Sequence, residues 1–485
     1  MPVSKPQFAT IPFLTADLPG VGGVIKRYNE DFVVEEVPLY EACGEGTHVY
    51  FTIEKGGLTT LAAIRMIAHA LGRKPHDIGY AGLKDAHAIT RQTLSVEHVE
   101  PARIEALDLK QIRVLHVTRH RNKLKLGHLK GNRFVIKIRF PSETSPSDEA
   151  RGAHRTGLTR AETRVCTGRG FIPTQGRAAT STRTVPRNQE ELARGATGIM
   201  ETLSLRGVPN YFGPQRFGTR GDNALVGRAV VYGDFHEAIA LILGRPASDD
   251  RGDVRRAREL FDANDWQGCA DAWPRSSNEQ RRLAIALVKA KSDARKAWRA
   301  CDHTLRKLYG SALQSELFNQ VLGARITGTL RDGSTFDISG IDGLALGDLA
   351  WLHRNGACFR VEDVERERPR CERLEISPSG PLFGRRMTEP TGRPSELEEA
   401  VLRLSGLERE RIRSVDGTRL DGARRPLRVP LEDWDVQHGK DDRGLFIQLT
   451  FMLSPGAYAT NVSREVCKPA HDLSFSLPWG ILLNS

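Results

Sequence analysis

The sequence predicts a mixed fold in which strands and helices occupy separate parts of the chain. Within the first 140 residues, runs of alternating apolar and polar residues are typical of half-buried strands. From Gly221 onward the apolar residues recur at helical spacing instead. The chain has 485 residues, and at roughly 100–200 residues per domain it is long enough for several domains. We therefore expect a second domain to begin near Gly221.

Two strands and a helix illustrate the pattern of the first part. Residues 48–53 alternate between apolar and polar, as do residues 133–140. In the second run the apolar side chains share one face, and Lys137 and Arg139 are expected to carry charge on the other. Residues 60–71 have apolar residues at helical spacing and are followed by a glycine, which predicts a helix that ends there.

The rest of the chain changes character twice. Residues 141–187 contain eight arginines, four acidic residues and few apolar ones, which predicts a flexible insert. Such an insert could assist RNA capture, but a loop without its own role is favoured. Strand-like sequence returns at 335–373, and a Gly/Pro-rich stretch follows at 377–394. Four helices are predicted in the second domain, at residues 224–243, 253–264, 278–291 and 297–322.

Composition limits the compartment and the partner. Lys and Arg exceed Asp and Glu by 71 to 60, a net charge of +11, which favours a polyanionic partner. No signal peptide and no apolar run of about 18 residues is visible, so we expect neither export nor a membrane partner. The seven cysteines form no C-x-x-C pair, which is typical of a reduced, cytoplasmic protein without a zinc site.

One stretch is strongly basic. Residues 109–142 contain ten Lys or Arg, three His and no acidic residue. Positive charge of one sign around a Gly-rich turn favours contact with phosphate over an ordinary solvated face. We expect four side chains of this stretch to contact the RNA backbone: Lys123, Lys125, Lys130 and Arg133.

A short loop places a carboxylate beside a cation. Lys84 and Asp85 follow two glycines and precede a strand-like run. The neighbouring ammonium would hold Asp85 ionised, as nucleophilic or basic chemistry requires, although the spacing alone favours a turn or capping residue. The segment 207–218 holds three aromatic residues, two prolines and three glycines. It predicts a rigid element that either packs as a corner between domains or closes one side of a nucleotide pocket.

Several motifs are absent. The chain has no Walker A sequence, no dinucleotide-binding glycine pattern and no zinc spacing. We therefore expect a reaction that uses no cofactor and no metal.

Taken together, the motifs resemble the tRNA pseudouridine synthase D (TruD) family, which includes the eukaryotic multisubstrate pseudouridine synthases. The ordered segments extend from about residue 20 to 465. They are 29–36 (NEDFVVEE), 82–92 (GLKDAHAITRQ), 122–134, 210–218 (NYFGPQRFG), 313–319, 380–384 (GPLFG), 422–425 (GARR) and 455–460 (PGAYAT).

This resemblance implies an α+β fold: a pseudouridine synthase catalytic domain built on a mixed β-sheet, with an inserted family-specific domain. It assigns residues 1–219 and 421–485 to the catalytic domain, with 141–188 as a flexible Arg-rich insert, and residues 220–420 to the inserted TRUD-type domain. The insert and the tail at 466–485 depart from the family pattern.

The resemblance also implies the chemistry, which is isomerisation of uridine to pseudouridine in tRNA, at uridine 13 in bacterial members. Asp85 would be the nucleophile and Lys84 its charge partner. Phe134 would stack on the flipped uracil, and three residues would line the uridine site with it: Phe32, Asn132 and Tyr458. Whether Asp85 attacks the sugar or the base stays open. The alternative is an RNA-binding or chaperone protein of the same fold without turnover, and we expect a monomer in either case.

Overall fold

The computed structural model describes residues 11–84, 86, 88–140, 188–413 and 420–468. The predicted insert at 141–187 and most of the tail lie outside these residues, as does Asp85. Within the described residues, no helix is long and apolar enough to span a membrane.

A large mixed sheet organises the first part of the chain. Its strands are β1 (Phe32–Pro38), β2 (His48–Gly56), β3 (Gly79–Tyr80), β4 (Ile89–Glu97), β5 (Ile112–His120), β6 (Leu129–Arg139), β13 (Glu432–Asp441) and β14 (Gly444–Leu453). They run in the order β13-β14-β6-β1-β4-β2-β5, and β3 pairs with β4. The β1–β4 pair is parallel and the others are antiparallel, so the sheet is mixed, as predicted.

Two smaller sheets accompany it. Their strands are β7 (Val208–Pro209), β8 (Leu349–Leu352), β9 (Cys358–Arg360), β10 (Ile376–Leu382), β11 (Ala423–Pro426) and β12 (Arg428–Val429). A four-stranded sheet has the order β11-β10-β8-β9, and a two-stranded sheet pairs β12 with β7. The Gly/Pro-rich stretch therefore contributes to a strand, β10, which the sequence pattern did not indicate.

The helices concentrate in the middle of the chain. They are α1 (Thr60–Leu71), α2 (Pro101–Glu105), α3 (Gln189–Arg206), α4 (Asn223–Val231), α5 (Phe235–Leu243), α6 (Gly252–Asp262), α7 (Trp266–Ala272), α8 (Asn278–Lys289), α9 (Ala294–Trp298), α10 (His303–Thr327), α11 (Val364–Glu372), α12 (Arg393–Leu404), α13 (Arg409–Arg413) and α14 (Ala459–Cys467).

Local chemistry fixes the ends of α1. The Thr59 side chain accepts a hydrogen bond from the Ala62 backbone N–H at its start. Gly72 adopts a left-handed conformation with φ 67° at its end, which glycine tolerates without a Cβ clash. The predicted helix at 60–71 is confirmed to the residue.

The later helices differ from prediction at their ends. The run at 224–243 is two helices, because Gly233 takes a positive φ of 74° between α4 and α5. The last predicted helix begins instead at His303 and continues to Thr327 as α10. This helix packs into two cores: Leu313 lies in the core of the helical region, whereas Phe318 lies in the core beneath the large sheet.

One prediction about β6 is wrong. Arg139 was expected on a charged outer face, but it is only 2% exposed. Its guanidinium binds both the Asp31 and Asp441 carboxylates, so it links the entry to β1 with the hairpin of β13 and β14. Two carboxylates from distant segments supply the compensating charge that a buried arginine needs.

Candidate active site

Three of the predicted site residues share one face at the centre of the large sheet. The register places Val34 opposite Phe134 and Glu36 opposite Asn132. Directly paired residues point to the same face, and alternate residues on a strand do so as well. Phe134 therefore lies between Phe32 and Asn132 on this face, and Glu36 lies directly opposite Asn132 on β1.

The aromatic residues on this face pack against one another. The Phe134 ring lies 6.3 Å from Phe32 in an edge arrangement and 5.5 Å from Phe451 in a stacked one. Phe134 is 7% exposed and Phe32 is 3% exposed. Both rings thus contribute to the core beneath the sheet, and little of Phe134 reaches solvent.

Asn132 brings an unpaired acceptor to the same face. Its Oδ1 atom is buried and has no hydrogen-bond partner among the described residues. A buried acceptor without a partner costs free energy unless a ligand or water satisfies it. The side chain is thus suited to receive an N–H donor.

The loop that carries Asp85 is anchored on both sides. Asp85 itself lies outside the described residues. Before it, the Lys84 backbone N–H donates to Thr60 Oγ1 over 2.8 Å, and Thr60 donates in turn to Gln92 Oε1 over 2.9 Å. After it, Ala88 is fully buried. These contacts tie the loop to the start of α1 and to β4.

Lys84 has a partner that the sequence did not predict. Its Nζ lies 2.7 Å from Glu36 Oε2, and the two side chains are 4% and 2% exposed. The ammonium expected to accompany Asp85 is therefore already neutralised by a carboxylate from β1. This buried pair joins the loop to the sheet face that bears Asn132.

Tyr458 stands on the turn that follows β14. It is the N-cap residue of α14 and is half-buried. Its ring lies 6.3 Å from that of Phe212 in an edge arrangement. Because β14 pairs with β6 and Leu453 lies opposite Asn132, the turn begins beside the sheet face described above.

The segment 207–218 forms the wall against which Tyr458 packs. The Asn319 side chain on α10 bonds both the N–H and the carbonyl of Phe212, over 2.9 and 3.1 Å. The Asn461 side chain on α14 donates to the carbonyls of Pro209 and Tyr211. The segment therefore packs as a corner between α10 and α14 and also borders Tyr458, whereas its role beside a nucleotide pocket stays a prediction.

Two arginines flank this wall. The Arg425 guanidinium lies 4.3 Å from the centre of the Phe212 ring and that of Arg216 lies 5.2 Å from it. Arg425 donates to the Asn210 carbonyl and to the Gly456 carbonyl. Burial lowers the pKa of Arg425 to about 10. The motif at 422–425 contains Arg425, but the sequence pattern assigned it no role.

The basic stretch is less unopposed in space than along the chain. Glu54 binds Arg113, Glu45 binds Arg121, and Glu35 lies 3.3 Å from Arg133. These carboxylates belong to segments that precede the stretch by many residues, so a local charge count does not include them.

The predicted phosphate ligands differ accordingly. Lys123 donates to the His76 carbonyl over 2.7 Å. Arg133 forms an ion pair with Glu35, which also pairs with Arg91. Lys125 and Lys130 are exposed and have no ion-pair partner in the part of the chain that the structure describes. They are the cations of this stretch most available to a ligand.

Glu36 and Lys26 were also missed. Glu36 continues the alternation Phe32, Val34, Glu36, and the first two residues are buried, so the period of two indicated its inward direction. The Nζ atom of Lys26 lies 4.2 Å from the centre of the Phe32 ring. Its backbone is in the left-handed conformation, with φ 57°, which the sequence pattern did not predict. Over the described ranges, no three His, Cys, Asp or Glu side chains are grouped to hold a metal ion.

Comparisons with known proteins give one consistent family description. A profile of the family described as tRNA pseudouridine synthase D (TruD) matches residues 9–162 and 180–466. The tRNA pseudouridine synthase D of Geobacter sulfurreducens is 42% identical over 456 residues, covering 94% of this chain and 96% of the relative. That of a Thermus thermophilus strain is 33% identical over 458 residues, covering 94% and 92%. A crystal structure described as a putative tRNA pseudouridine synthase D (TruD) from Methanosarcina mazei matches with a TM-score of 0.72 and 25% identity, covering 96% of this chain and 97% of that one.

Proposed function

Because the chain belongs to the tRNA pseudouridine synthase D (TruD) family, we propose that it converts uridine 13 of tRNA to pseudouridine, with Asp85 as the nucleophile and the target base turned out of the RNA. Membership makes the chain an isomerase that forms pseudouridine in tRNA. The observation that carries the finer proposal is the grouping of Phe32, Asn132 and Phe134 on the sheet face beside the loop of Asp85.

The reaction rearranges bonds without a net change of atoms or oxidation state. The bond between ribose C1′ and uracil N1 breaks, the detached uracil turns, and C1′ bonds to C5. The hydrogen on C5 is lost and N1 gains one. A base must leave the RNA stack to undergo this change, and an enzyme holds such a base by stacking and by hydrogen bonds to its edge. We expect Asp85 to form the covalent intermediate, on the sugar or on the base.

The described side chains suit these tasks. The buried Asn132 Oδ1 atom, which lacks a partner among the described residues, would accept the N3–H of uracil. Phe134 would contact the uracil ring while Phe32 and Phe451 hold its own ring in place. Tyr458, on the turn after β14, would close the site from the other side.

Lys84 has a further proposed role besides that of charge partner to Asp85. Since its ammonium is bound to Glu36, we assign it a positioning role: the pair fastens the loop, and so Asp85, to the sheet. The reaction itself needs no redox partner, and we expect it to proceed without cofactor or metal.

The Asp85→Asn variant tests the proposal. It keeps the size of the side chain and removes the nucleophile, so we expect no pseudouridine while the affinity for tRNA stays within a few fold. The assay maps pseudouridine in tRNA from cells that lack the protein and carry either the wild-type or the variant gene. Asp77→Asn, at an exposed turn before β3, is the matched control and should be active.

The outcomes separate the alternatives. A wild-type protein that binds tRNA and restores no pseudouridine would support the RNA-binding or chaperone alternative. Pseudouridine at a different position would retain the enzyme and reject uridine 13. Near wild-type turnover by Asp85→Asn would reject the nucleophile.

A further inference from the structure

Arg216 and Arg425 form a pair of positive charges to which the proposed reaction assigns no role. Both side chains are half-buried and both guanidinium groups lie against the Phe212 ring. Neither has a carboxylate within ion-pair distance among the described residues. Burial lowers the pKa of Arg425, Tyr458 raises it, and the like charge of Arg216 lowers it further.

Other buried arginines of this chain show what is missing. Arg139, Arg325 and Arg424 each bind a buried carboxylate over 2.6 to 2.9 Å. Burying a guanidinium without an opposite charge is costly, which is why such groups are normally paired. Arg428 also has no carboxylate partner within the described residues, but it is 1% exposed and bonded to Ser377 and to backbone carbonyls, so no ligand can reach it.

The contacts of Arg425 hold the side chain in position but do not neutralise its charge. Its partners are the Asn210 carbonyl and side-chain oxygens and the Gly456 carbonyl, all of them neutral. Over the ranges that the structure describes, Arg216 has one hydrogen bond to a side chain, a long one of 3.4 Å to Ser311 Oγ. Both guanidinium groups therefore keep N–H donors for an anion, and arginine can present two of them to one phosphate.

The location indicates which anion. Phe212, which both arginines contact, also packs against Tyr458, the residue proposed to close the uridine site. In a nucleotide, only the ribose separates the base from its own phosphate. We propose that Arg216 and Arg425 together bind one backbone phosphate of the RNA next to the target uridine, which rests on the proposed function above.

The test compares single-charge variants in tRNA binding at increasing KCl concentration. Arg216→Gln and Arg425→Gln should each lower the slope of log affinity against log salt by about one unit, as loss of a phosphate contact does. Arg216→Lys should restore much of it. Arg255→Gln is the matched control: it removes a positive charge from an exposed pair on α6 and should leave the slope unchanged. Slopes for Arg216→Gln and Arg425→Gln equal to that of the control would overturn the proposal.

A second arm identifies the phosphate. RNA substrates carrying a single neutral methylphosphonate at successive linkages around the target uridine should show one linkage that weakens binding to the wild type and not to Arg216→Gln. This comparison uses the variant with fewer structural contacts, so it holds even if Arg425→Gln folds poorly. If every linkage has the same effect on both proteins, the proposal fails.

The source of the anion and the proposed function are tested separately. Inorganic phosphate is the alternative ligand, and its effect is compared with that of chloride at equal ionic strength. A rise in melting temperature with phosphate that Arg216→Gln abolishes, together with unchanged RNA slopes, would assign the pair to a free anion and reject the RNA site. A wild-type protein that forms no pseudouridine would refute the proposed function, whereas the binding slopes would still decide the phosphate site.

Discussion

Replacing Glu36 by Gln is expected to destabilise the folded protein by about 3–5 kcal/mol. The carboxylate lies 2.7 Å from Lys84 Nζ, and the two side chains are 2% and 4% exposed. Removing one member of such a pair leaves the other charge buried without compensation, which accounts for the size of the loss. The neighbouring Glu35 is the control: its side chain is 26% exposed and pairs with exposed arginines, so Glu35→Gln should cost at most about 1 kcal/mol.

A double-mutant cycle isolates the pair. Lys84→Met keeps most of the side-chain volume and removes the charge, and alone it should also destabilise because Glu36 is then unpaired. The double variant Glu36→Gln/Lys84→Met has no buried charge at this position, so it should be more stable than the sum of the single losses predicts. The measurement is urea unfolding followed by a spectroscopic signal from the large sheet, with m-values compared between variants.

The same variants examine what Lys84 does in catalysis. If Lys84 only positions the loop of Asp85, the double variant should recover part of the single-turnover rate that Lys84→Met loses. A double variant with near wild-type stability and a rate as low as that of Asp85→Asn would refute the positioning role. A loss under about 1 kcal/mol for Glu36→Gln would refute the energetic reasoning itself.

Three further predictions follow from single side chains. Lys125→Ala and Lys130→Ala should each weaken tRNA binding and lower the slope of log affinity against log salt by about one unit. Arg113→Ala should leave the slope unchanged, because Glu54 already pairs with Arg113. Equal slopes for all three variants would contradict this prediction. Phe134→Ala should cost about 3–5 kcal/mol by emptying a packed core position and should also slow single turnover of bound tRNA; an unchanged rate in the folded fraction would leave Phe134 with a core role alone. Burial lowers the pKa of His353 to about 4, below the roughly 6.5 of an unfolded chain, so the free energy of unfolding should fall as the pH drops from about 6.5 to 4, by at most about 3 kcal/mol. Urea titrations across that range should show a weaker fall for His353→Gln, and an identical profile would reject the assignment.

Local patterns predicted the local structure well. The start, the end and the buried face of the helix at 60–71 are all determined by residues within or next to it. Capping and periodicity act between near neighbours, so they can be read from a short segment. The strand near Phe134 was also predicted, and its inward residues Ile136 and Ile138 are buried. These successes concern interactions whose partners are close in sequence.

Local patterns did not predict which charged side chains are buried or paired. Arg139 lies in a run of alternating charged and apolar residues, which predicts exposure, yet Asp441 reaches it from about 300 residues away. The basic stretch is opposed in the same way by carboxylates of earlier segments, including Glu45 and Glu54. An electrostatic interaction depends on distance in space. A count of charges along the chain therefore does not show which basic side chains are free to bind a ligand when a sheet brings remote strands together.

The site depends on the same long-range assembly. Asn210 receives the Arg425 side chain, and Asn319 on α10 holds the backbone of Phe212. Three segments separated by about a hundred residues each therefore fix the wall beside Tyr458. Because α10 also packs into the core of the helical region, any movement of that region relative to the large sheet would shift this wall. The helical region is therefore placed to shift the wall beside the proposed uridine site, where Arg216 and Arg425 lie against Phe212 with no carboxylate partner among the described residues.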